Sequence, residues 1–228
     1  MRTVASPNHG PRRSGYDAPD LIVLHYTAMM GGAEPAIKRL CDPSTEVSCH
    51  YIIDEGAEVT QLVPDACRAW HAGAGRWGEC DDVNSRSLGI ELSNDGYSPF
   101  PADQMDALER LLRDLTARHD IPPQNIIGHS DCAPGRKIDP GARFDWLRLA
   151  RGGLSVWPRQ GPAAPDSDAF LRDAQIAGWT ADVSPDRVLT AVRLRFRPWA
   201  SGPLDGRDCA IVADLARRFP VDQPRVTA

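Results

Sequence analysis

The run Leu21–Tyr26, which reads LIVLHY, is the feature that most constrains how this chain can fold. Its first four residues are all apolar, without the alternation of a strand that has one solvent-exposed face. A continuous apolar run of this length is typical of a strand buried on both faces in the middle of a sheet. The run ends in His25 and Tyr26, so the sequence predicts an imidazole at the carboxyl end of a central strand.

The apolar periodicity of the sequence predicts the other elements. Segments 47–54 and 57–63 are strand-like and are separated by Glu55 and Gly56, which predicts an antiparallel hairpin. Segment 87–94 alternates between apolar and small or polar residues and places Glu91 on its less apolar face. Helical spacing and helix-start signals predict helices at 33–41, 100–120, 142–150, 166–177, 185–196 and 205–219.

The composition predicts an ordinary globular protein rather than a disordered or fibrous one. Its 228 residues are 42% hydrophobic and 25% charged, enough for one sizeable core and a small second unit. A shift to Gly- and Pro-rich sequence after Arg151 marks a boundary. The predicted organisation is an irregular lead-in at 1–19, a main domain at 20–152, a linker at 153–165 and a small helical domain at 166–228.

The charge and the chain's ends bear on partners and location. The formal net charge of −5 argues against a nucleic-acid partner, since no global basic field is available to bind phosphates. The first residues, MRTVASPNHG, lack the apolar core of a signal peptide, and no 18-residue apolar run predicts a transmembrane segment. We therefore expect a cytoplasmic protein, with a periplasmic location as the alternative.

The six cysteines are scattered without a CxxC pair, which argues against a structural zinc ribbon or a redox motif. Reduced, mostly buried thiols are the expectation. If the mature protein were exported, Cys41 and Cys49 would be the first candidates for a disulfide.

The segment 126–146, IIGHSDCAPGRKIDPGARFDW, contains an imidazole, an ammonium and a carboxylate in one Gly- and Pro-rich loop. Lys137 and Asp139 are two residues apart, so an extended backbone would point both side chains to the same face. A solvated turn is the alternative interpretation of such a loop. His25, His129 and Asp139 nevertheless have the ligand types of a zinc site that leaves one coordination position open.

Each of these residues also has an ordinary structural explanation, because a histidine that ends a buried strand is often hydrogen-bonded in the core. Two further residues favour a site. Glu91 could carry protons and Lys137 could stabilise developing negative charge, which are the remaining parts of a metal-assisted hydrolysis.

Six strings, spread over residues 20–150, carry a resemblance to a known family: LIVLHYTA, VSCHYIID, AWHAG, SLGIELSN, GHSDCAPGRKIDPG and FDW. Together they resemble the zinc-dependent N-acetylmuramoyl-L-alanine amidases of the type-2 amidase family, which includes AmpD and AmiD and is related to peptidoglycan recognition proteins. The resemblance implies an α/β fold, with a mixed central sheet flanked by helices. It also implies zinc as cofactor and cleavage of the amide between N-acetylmuramic acid and L-alanine.

The resemblance assigns roles to individual residues. It implies that His25, His129 and Asp139 bind zinc, that Glu91 is the catalytic carboxylate and that Lys137 stabilises the transition state. It also matches Tyr51 to an aromatic residue that the family often has in its active site. Independently of the resemblance, the long loop predicted at 64–86 should wall the substrate cleft, which suggests sugar or peptide contacts for Trp70, His71, Trp77 and Asn84. The Arg136 guanidinium could bind a carboxylate of the stem peptide. For Trp70 and Trp77, core packing is an equal alternative to stacking on sugar.

Peptidoglycan fragments are therefore the expected partners, with the 1,6-anhydro muramic acid of cell-wall recycling as the expected sugar. A muropeptide-recognition module that does not cut is one alternative, and a peptidase that cuts within the stem peptide is another. The C-terminal helices resemble, more weakly, a peptidoglycan-binding module found in some amidases of this family. A purely structural appendage is the other interpretation of these helices.

Overall fold

The computed structural model describes residues 1–159, 161 and 163–222, and a mixed sheet lies at its centre. The strands of the described residues are β1 (Arg2–Thr3), β2 (His9–Pro11), β3 (Leu21–Tyr26), β4 (Tyr51–Ile53), β5 (Val59–Gln61), β6 (Cys67–Ala69), β7 (Ser87–Leu92) and β8 (Ile126–Gly128). Within these residues, the main sheet has six strands in the order β1-β5-β4-β7-β3-β8, and β2 pairs with β6 in a second sheet. Strand β3, which the sequence predicted in the middle of a sheet, thus has a neighbouring strand on each side, β7 and β8.

Helices cover both faces of this sheet. They are α1 (Glu34–Leu40), α2 (Val83–Arg86), α3 (Ala102–His119), α4 (His129–Cys132), α5 (Trp146–Arg151), α6 (Ser167–Ile176), α7 (Pro185–Phe196) and α8 (Gly206–Arg218). On one face, α3 and α5 pack against Ile22 and Leu24 of β3. On the other, α6, α7 and α8 pack against Leu21 and Val23. None of the described helices combines the length and the apolar character needed to cross a membrane.

The register of three parallel strands gathers polar side chains at one edge of the sheet. Strand β3 pairs in parallel with β7, which places His25 directly beside Glu91. On its other side β3 pairs in parallel with β8, whose last residue, Gly128, leads into His129. Because parallel strands end at the same edge, these three side chains emerge together, on the face opposite α3.

Most predicted elements are confirmed, and the differences concern their bounds and two segments. The antiparallel hairpin forms between β4 and β5, but its first strand is confined to Tyr51–Ile53. The helix expected at 142–150 begins at Trp146, after Asp145, whose side chain accepts a hydrogen bond from the Arg148 backbone amide. That cap fixes the start of the helix.

Two segments expected to be irregular contain strands. The lead-in at 1–19 supplies β1, which pairs with β5, and β2, which pairs with β6. These strands are only two or three residues long, so no periodicity could identify them. The expected long loop at 64–86 contains β6 and α2. The six cysteines are all free.

The C-terminal helices share a continuous core with the sheet. Their apolar residues form one buried cluster with Leu21, Val23 and Ile127 of the sheet strands. The division into a main domain and a helical domain stays a prediction. The shared core shows that the helices of the second unit pack directly against the sheet of the first. Gln160 and Pro162 of the predicted linker, and 223–228 at the end of the predicted helical domain, lie outside the described residues.

A buried ion pair links these helices to the segment that carries His129. The Arg195 guanidinium of α7 donates to Asp131 Oδ2 at 2.9 Å and to the Ile126 carbonyl oxygen at 2.9 Å. Trp179 Nε1 donates to the other oxygen of Asp131 at 3.2 Å. The Arg195 and Asp131 side chains are only 2% and 1% exposed. The pair therefore fixes α4 against α7 from inside the protein.

Removing one partner of this pair tests its contribution. Arg195→Met leaves the Asp131 carboxylate buried without its cation, so we expect the free energy of unfolding to fall by about 3–5 kcal/mol. Urea denaturation of the full chain measures it. Arg172→Met, at a side chain of α6 that is 65% exposed, is the control and should change stability by less than about 0.5 kcal/mol. Wild-type stability in Arg195→Met would contradict the expected contribution of the pair.

Candidate metal centre and active site

A cleft of about 540 Å³ opens where β3, β7 and β8 end. The residues predicted to be catalytic or metal-binding all line it: His25, Glu91, His129, Lys137 and Asp139. Helix α1 and the segment around Trp70 form its walls. Side chains that are remote in the sequence are therefore collected around one concave surface.

Three ligand atoms converge on one point in the floor of this cleft. His25 Nδ1 lies 3.1 Å from His129 Nδ1 and 2.8 Å from Asp139 Oδ2, and His129 Nδ1 lies 3.0 Å from the same carboxylate oxygen. All three residues are buried. Among the described residues, they form a group with the donor types and spacing of a metal site.

The tautomer of His129 is fixed by its other ring nitrogen. His129 Nε2 lies 2.9 Å from the backbone carbonyl oxygen of Ala72. A carbonyl can only accept, so Nε2 carries the hydrogen and Nδ1 presents a lone pair. In the neutral ring this lone pair faces an oxygen of the Asp139 carboxylate. A proton or a metal cation between the two atoms satisfies both, and two nitrogens with one oxygen suit a divalent transition metal.

The pKa values of these residues fit a metal site. Burial, with the neighbouring His129, lowers the pKa of His25 to about 4, so its imidazole is neutral at pH 7. For Asp139, burial acts to raise the pKa, but the His129 and His25 rings beside the carboxylate outweigh it and hold the pKa well below its usual range. A neutral imidazole and an ionised carboxylate are the protonation states that bind metals.

Glu91 is a half-buried residue beside this group, and one of its carboxyl oxygens is buried. Its Oε2 has no hydrogen-bond partner among the described residues. Burial and the charge of Asp139 raise the pKa of Glu91 to about 8, and the charge of Lys137 acts to lower it. Glu91 lines the cleft, and a carboxyl group with an oxygen that no protein group occupies can exchange protons with a bound molecule.

Lys137 lines the cleft, as Asp139 does. Both line the cavity, as expected from their spacing of two residues, and the exposed ammonium is close enough to influence Glu91 and His25. Arg136 also lines the cleft, but it donates to the Ala72 carbonyl oxygen at 2.7 Å. Trp70 forms part of the wall.

Three predicted substrate contacts lie away from the cleft. Tyr51 points to the opposite face of the sheet, where it packs with Ile90 and donates its hydroxyl to Asp65. Neighbouring residues of a strand face opposite sides of the sheet, and the position of Tyr51 in β4 directs its side chain away from the cleft. Trp77 is 1% exposed and packs on Trp179, which places it in the core.

Asn84 is the third of these residues. It is buried, and its Oδ1 accepts hydrogen bonds from the backbone amides of His71 at 3.0 Å and Ala72 at 2.8 Å. Asn84 therefore holds the wall of the cleft in place from outside the cleft.

His71 lines the cleft, but its ring nitrogens are occupied by the protein. Nδ1 lies 3.0 Å from His25 Nε2, and Nε2 lies 3.2 Å from Ser87 Oγ. The predicted contact with substrate is thus replaced by a contact with a candidate metal ligand. The Ala72 carbonyl could not be found from the sequence, because every residue has one and only the fold selects it.

Comparisons with known proteins bear on the family to which this chain belongs. The profile of the N-acetylmuramoyl-L-alanine amidase family matches residues 15–142. N-acetylmuramoyl-L-alanine amidase AmiD of Escherichia coli is 32% identical to this chain over 244 residues, covering 92% of this chain and 87% of the relative. The 1,6-anhydro-N-acetylmuramyl-L-alanine amidase AmpD of Enterobacter cloacae is 35% identical over 164 residues, covering 65% of this chain and 87% of the relative.

Solved structures give the same result. The complex of E. coli AmiD with anhydro-N-acetylmuramic acid-L-Ala-D-gamma-Glu-L-Lys superposes with a TM-score of 0.81 at 32% identity, covering 91% of this chain and 92% of that one. AmpDh3 of Pseudomonas aeruginosa superposes with a TM-score of 0.81 at 28% identity, covering 96% and 99%. The fold, the matched profile and the near full-length relative lead to one conclusion: this chain belongs to the type-2 family of N-acetylmuramoyl-L-alanine amidases.

Proposed function

We propose that this chain is a zinc-dependent amidase that hydrolyses the bond between N-acetylmuramic acid, in its 1,6-anhydro form, and L-alanine of peptidoglycan stem peptides. The observation that carries the proposal is the convergence of His25 Nδ1, His129 Nδ1 and Asp139 Oδ2 beside an unpartnered oxygen of Glu91. The expected role is in cell-wall turnover or recycling. The complexes of AmiD and AmpDh3 with anhydromuramyl peptides support the choice of sugar.

His25, His129 and Asp139 would hold the metal. Three protein ligands with an open fourth position are typical of catalytic zinc sites, whereas structural sites are closed by four. When bound, zinc supplies a Lewis acid that makes a water nucleophile available near neutral pH and polarises a carbonyl group. Because His129 is fixed as the Nε2–H tautomer by Ala72, its lone pair is already directed at the ligand position.

Glu91 would transfer the protons of the reaction. Its carboxylate accepts a proton from the attacking water and later donates that proton to the leaving L-alanine nitrogen. The burial that raises its pKa makes it a stronger base than a solvated carboxylate, and the cationic surroundings of the loaded site favour the ionised form needed for the first step. Asp139 is assigned to the metal instead, because two imidazole nitrogens surround its Oδ2.

Lys137 would stabilise the negative charge that develops on the carbonyl oxygen. Its ammonium lies in the same cleft as the three candidate ligands, on a loop whose backbone is tied by a hydrogen bond from Lys137 N to Ala133 O at 3.0 Å. A cation that is already in place when charge develops lowers the barrier without reorganisation. Arg136 and Trp70 remain the proposed contacts for the stem peptide and the sugar.

Two substitutions separate the proposed roles. Glu91→Gln should retain one zinc per chain while losing activity by a factor of about 10² or more, because the amide keeps the shape of the side chain but cannot accept the proton. His129→Ala should lose both zinc and activity. Metal content by elemental analysis and product formation by mass spectrometry measure the two effects. Loss of zinc from Glu91→Gln, or full zinc occupancy in His129→Ala, would contradict the division of roles.

The products distinguish the proposed activity from its alternatives. A defined anhydromuropeptide should yield the free anhydro sugar and an intact stem peptide that begins with L-alanine, and a chelator should abolish this cleavage. Cleavage within the stem would identify a peptidase, and binding without cleavage would identify a recognition module. Comparing anhydro and reducing-end substrates measures the sugar preference.

The raised pKa of Glu91 has a consequence for stability in the metal-free protein. In the unfolded chain this carboxyl ionises near its usual value of 4.5, but in the folded protein only near 8. Between these values the folded state binds the extra proton, so the free energy of unfolding should fall as pH rises through this window. Glu91→Gln should remove this part of the pH dependence.

Urea denaturation of both metal-free proteins from pH 4.5 to 8 tests this expectation. The difference in stability, wild type minus Glu91→Gln, should decrease as the pH rises. Glu55→Gln, at an exposed carboxylate of the β4–β5 hairpin, controls for the loss of one negative charge. A difference that rises or stays constant with pH would show that Glu91 is not a buried, unpartnered acid.

A further inference from the structure

The second candidate imidazole ligand, His25, has no backbone carbonyl beside its outer nitrogen. Its Nε2 instead faces His71 Nδ1 at 3.0 Å, with the two rings edge to face. Either nitrogen of this pair could carry the hydrogen, and the choice matters. If His25 Nε2 carries it, the lone pair lies on Nδ1 and points at the metal position. In the other tautomer a hydrogen occupies that position.

Ser87 decides between these two arrangements. Its hydroxyl is hydrogen-bonded to the Val83 carbonyl oxygen. A carbonyl oxygen can only accept, so Ser87 donates to Val83. The same Oγ must then accept the hydrogen of His71 Nε2 at 3.2 Å. His71 Nδ1 is therefore a lone pair that accepts from His25 Nε2, which leaves His25 Nδ1 free for the metal.

Strand β7 is shaped to hold the His71 ring in this position. Ser87, Gly89 and Glu91 are alternate residues of the strand and share one of its faces. The imidazole of His71 lies over Gly89. A Cβ at Gly89 would come within 2.5 Å of the ring, so no side chain fits there. Asn84 also fixes the backbone of His71, as described above. The ring is thus located by the strand below it and by its own main chain.

We infer that His71 is a positioning residue, held by Ser87 and Gly89, that fixes His25 as the Nε2–H tautomer and so directs its Nδ1 to the metal. The inference rests on the proposed zinc site. His71–Ala72 then orients both imidazole ligands, His25 through a ring nitrogen and His129 through a backbone carbonyl oxygen. His71 itself touches neither the metal nor the reacting atoms.

Zinc affinity of the full chain tests the inference through two substitutions of His71. His71→Phe keeps a planar ring over Gly89 but removes the acceptor, so zinc should bind about 10–100-fold more weakly. His71→Asn restores an acceptor, because Asn Oδ1 is attached to Cγ as Nδ1 is, and most of the affinity should return. Competition with a chromogenic chelator measures the constants. His9→Phe, at a histidine of β2 outside the cleft, is the matched control.

Nitrogen-15 spectra of the histidine rings provide a measurement that needs no substitution. In the wild-type protein, with and without zinc, His25 should carry its hydrogen on Nε2. In metal-free His71→Phe the Nδ1–H form should appear. Rescue by Asn together with this tautomer change would distinguish positioning from a general loss of packing.

The outcomes separate this inference from the function on which it rests. A wild-type chain that bound no zinc would overturn the metal site and the inference with it. Zinc binding by wild type together with unchanged affinity in His71→Phe, or a wild-type His25 that carries its hydrogen on Nδ1, would overturn only the inference. Should His71→Phe fail to fold, the wild-type spectra decide alone.

Discussion

The parallel register of β3 between β7 and β8 is the constraint on which the rest of the site depends. It places His25 beside Glu91 and brings His129 to the same edge, so one sheet delivers two imidazoles and a carboxyl within one cleft. A shift by one residue would send these side chains to the face covered by α3. The continuous apolar sequence of β3, buried on both faces by helices, is what makes such a shift costly.

Buried polar contacts then refine what the register provides. Asn84 holds the segment His71–Ala72, and this segment contacts the outer nitrogen of both candidate imidazole ligands. The C-terminal helices contribute from the other side, because Arg195 pairs with Asp131, two residues beyond His129. The helical unit thus supports the site through α4, and its buried contacts with the sheet give it a structural role whatever else it binds.

The sequence predicted most of the fold and the polar residues at the centre of the site. Runs such as 21–26 and 87–94 have an unambiguous pattern, and His25, Glu91, His129, Lys137 and Asp139 lie in strings characteristic of the family. Side-chain direction was harder to predict. Tyr51 and Asn84 have residue types that suit substrate binding. Strand alternation nevertheless directs Tyr51 away from the cleft, and the His71 backbone amide occupies the side-chain oxygen of Asn84. The strands at 2–3 and 9–11 were not predicted, because two or three residues are too few to show a periodic pattern.

The central claim is that His25 and His129 both present Nδ1, together with one oxygen of Asp139, to a single metal ion. A crystal structure of the zinc-loaded protein tests it most directly. The account predicts zinc bonded to both Nδ1 atoms at about 2.0–2.1 Å and to Asp139 at about 2.0–2.2 Å, with Glu91 close by but not bonded to the metal. Coordination through Nε2 of either histidine, or by Glu91 in place of Asp139, would contradict it.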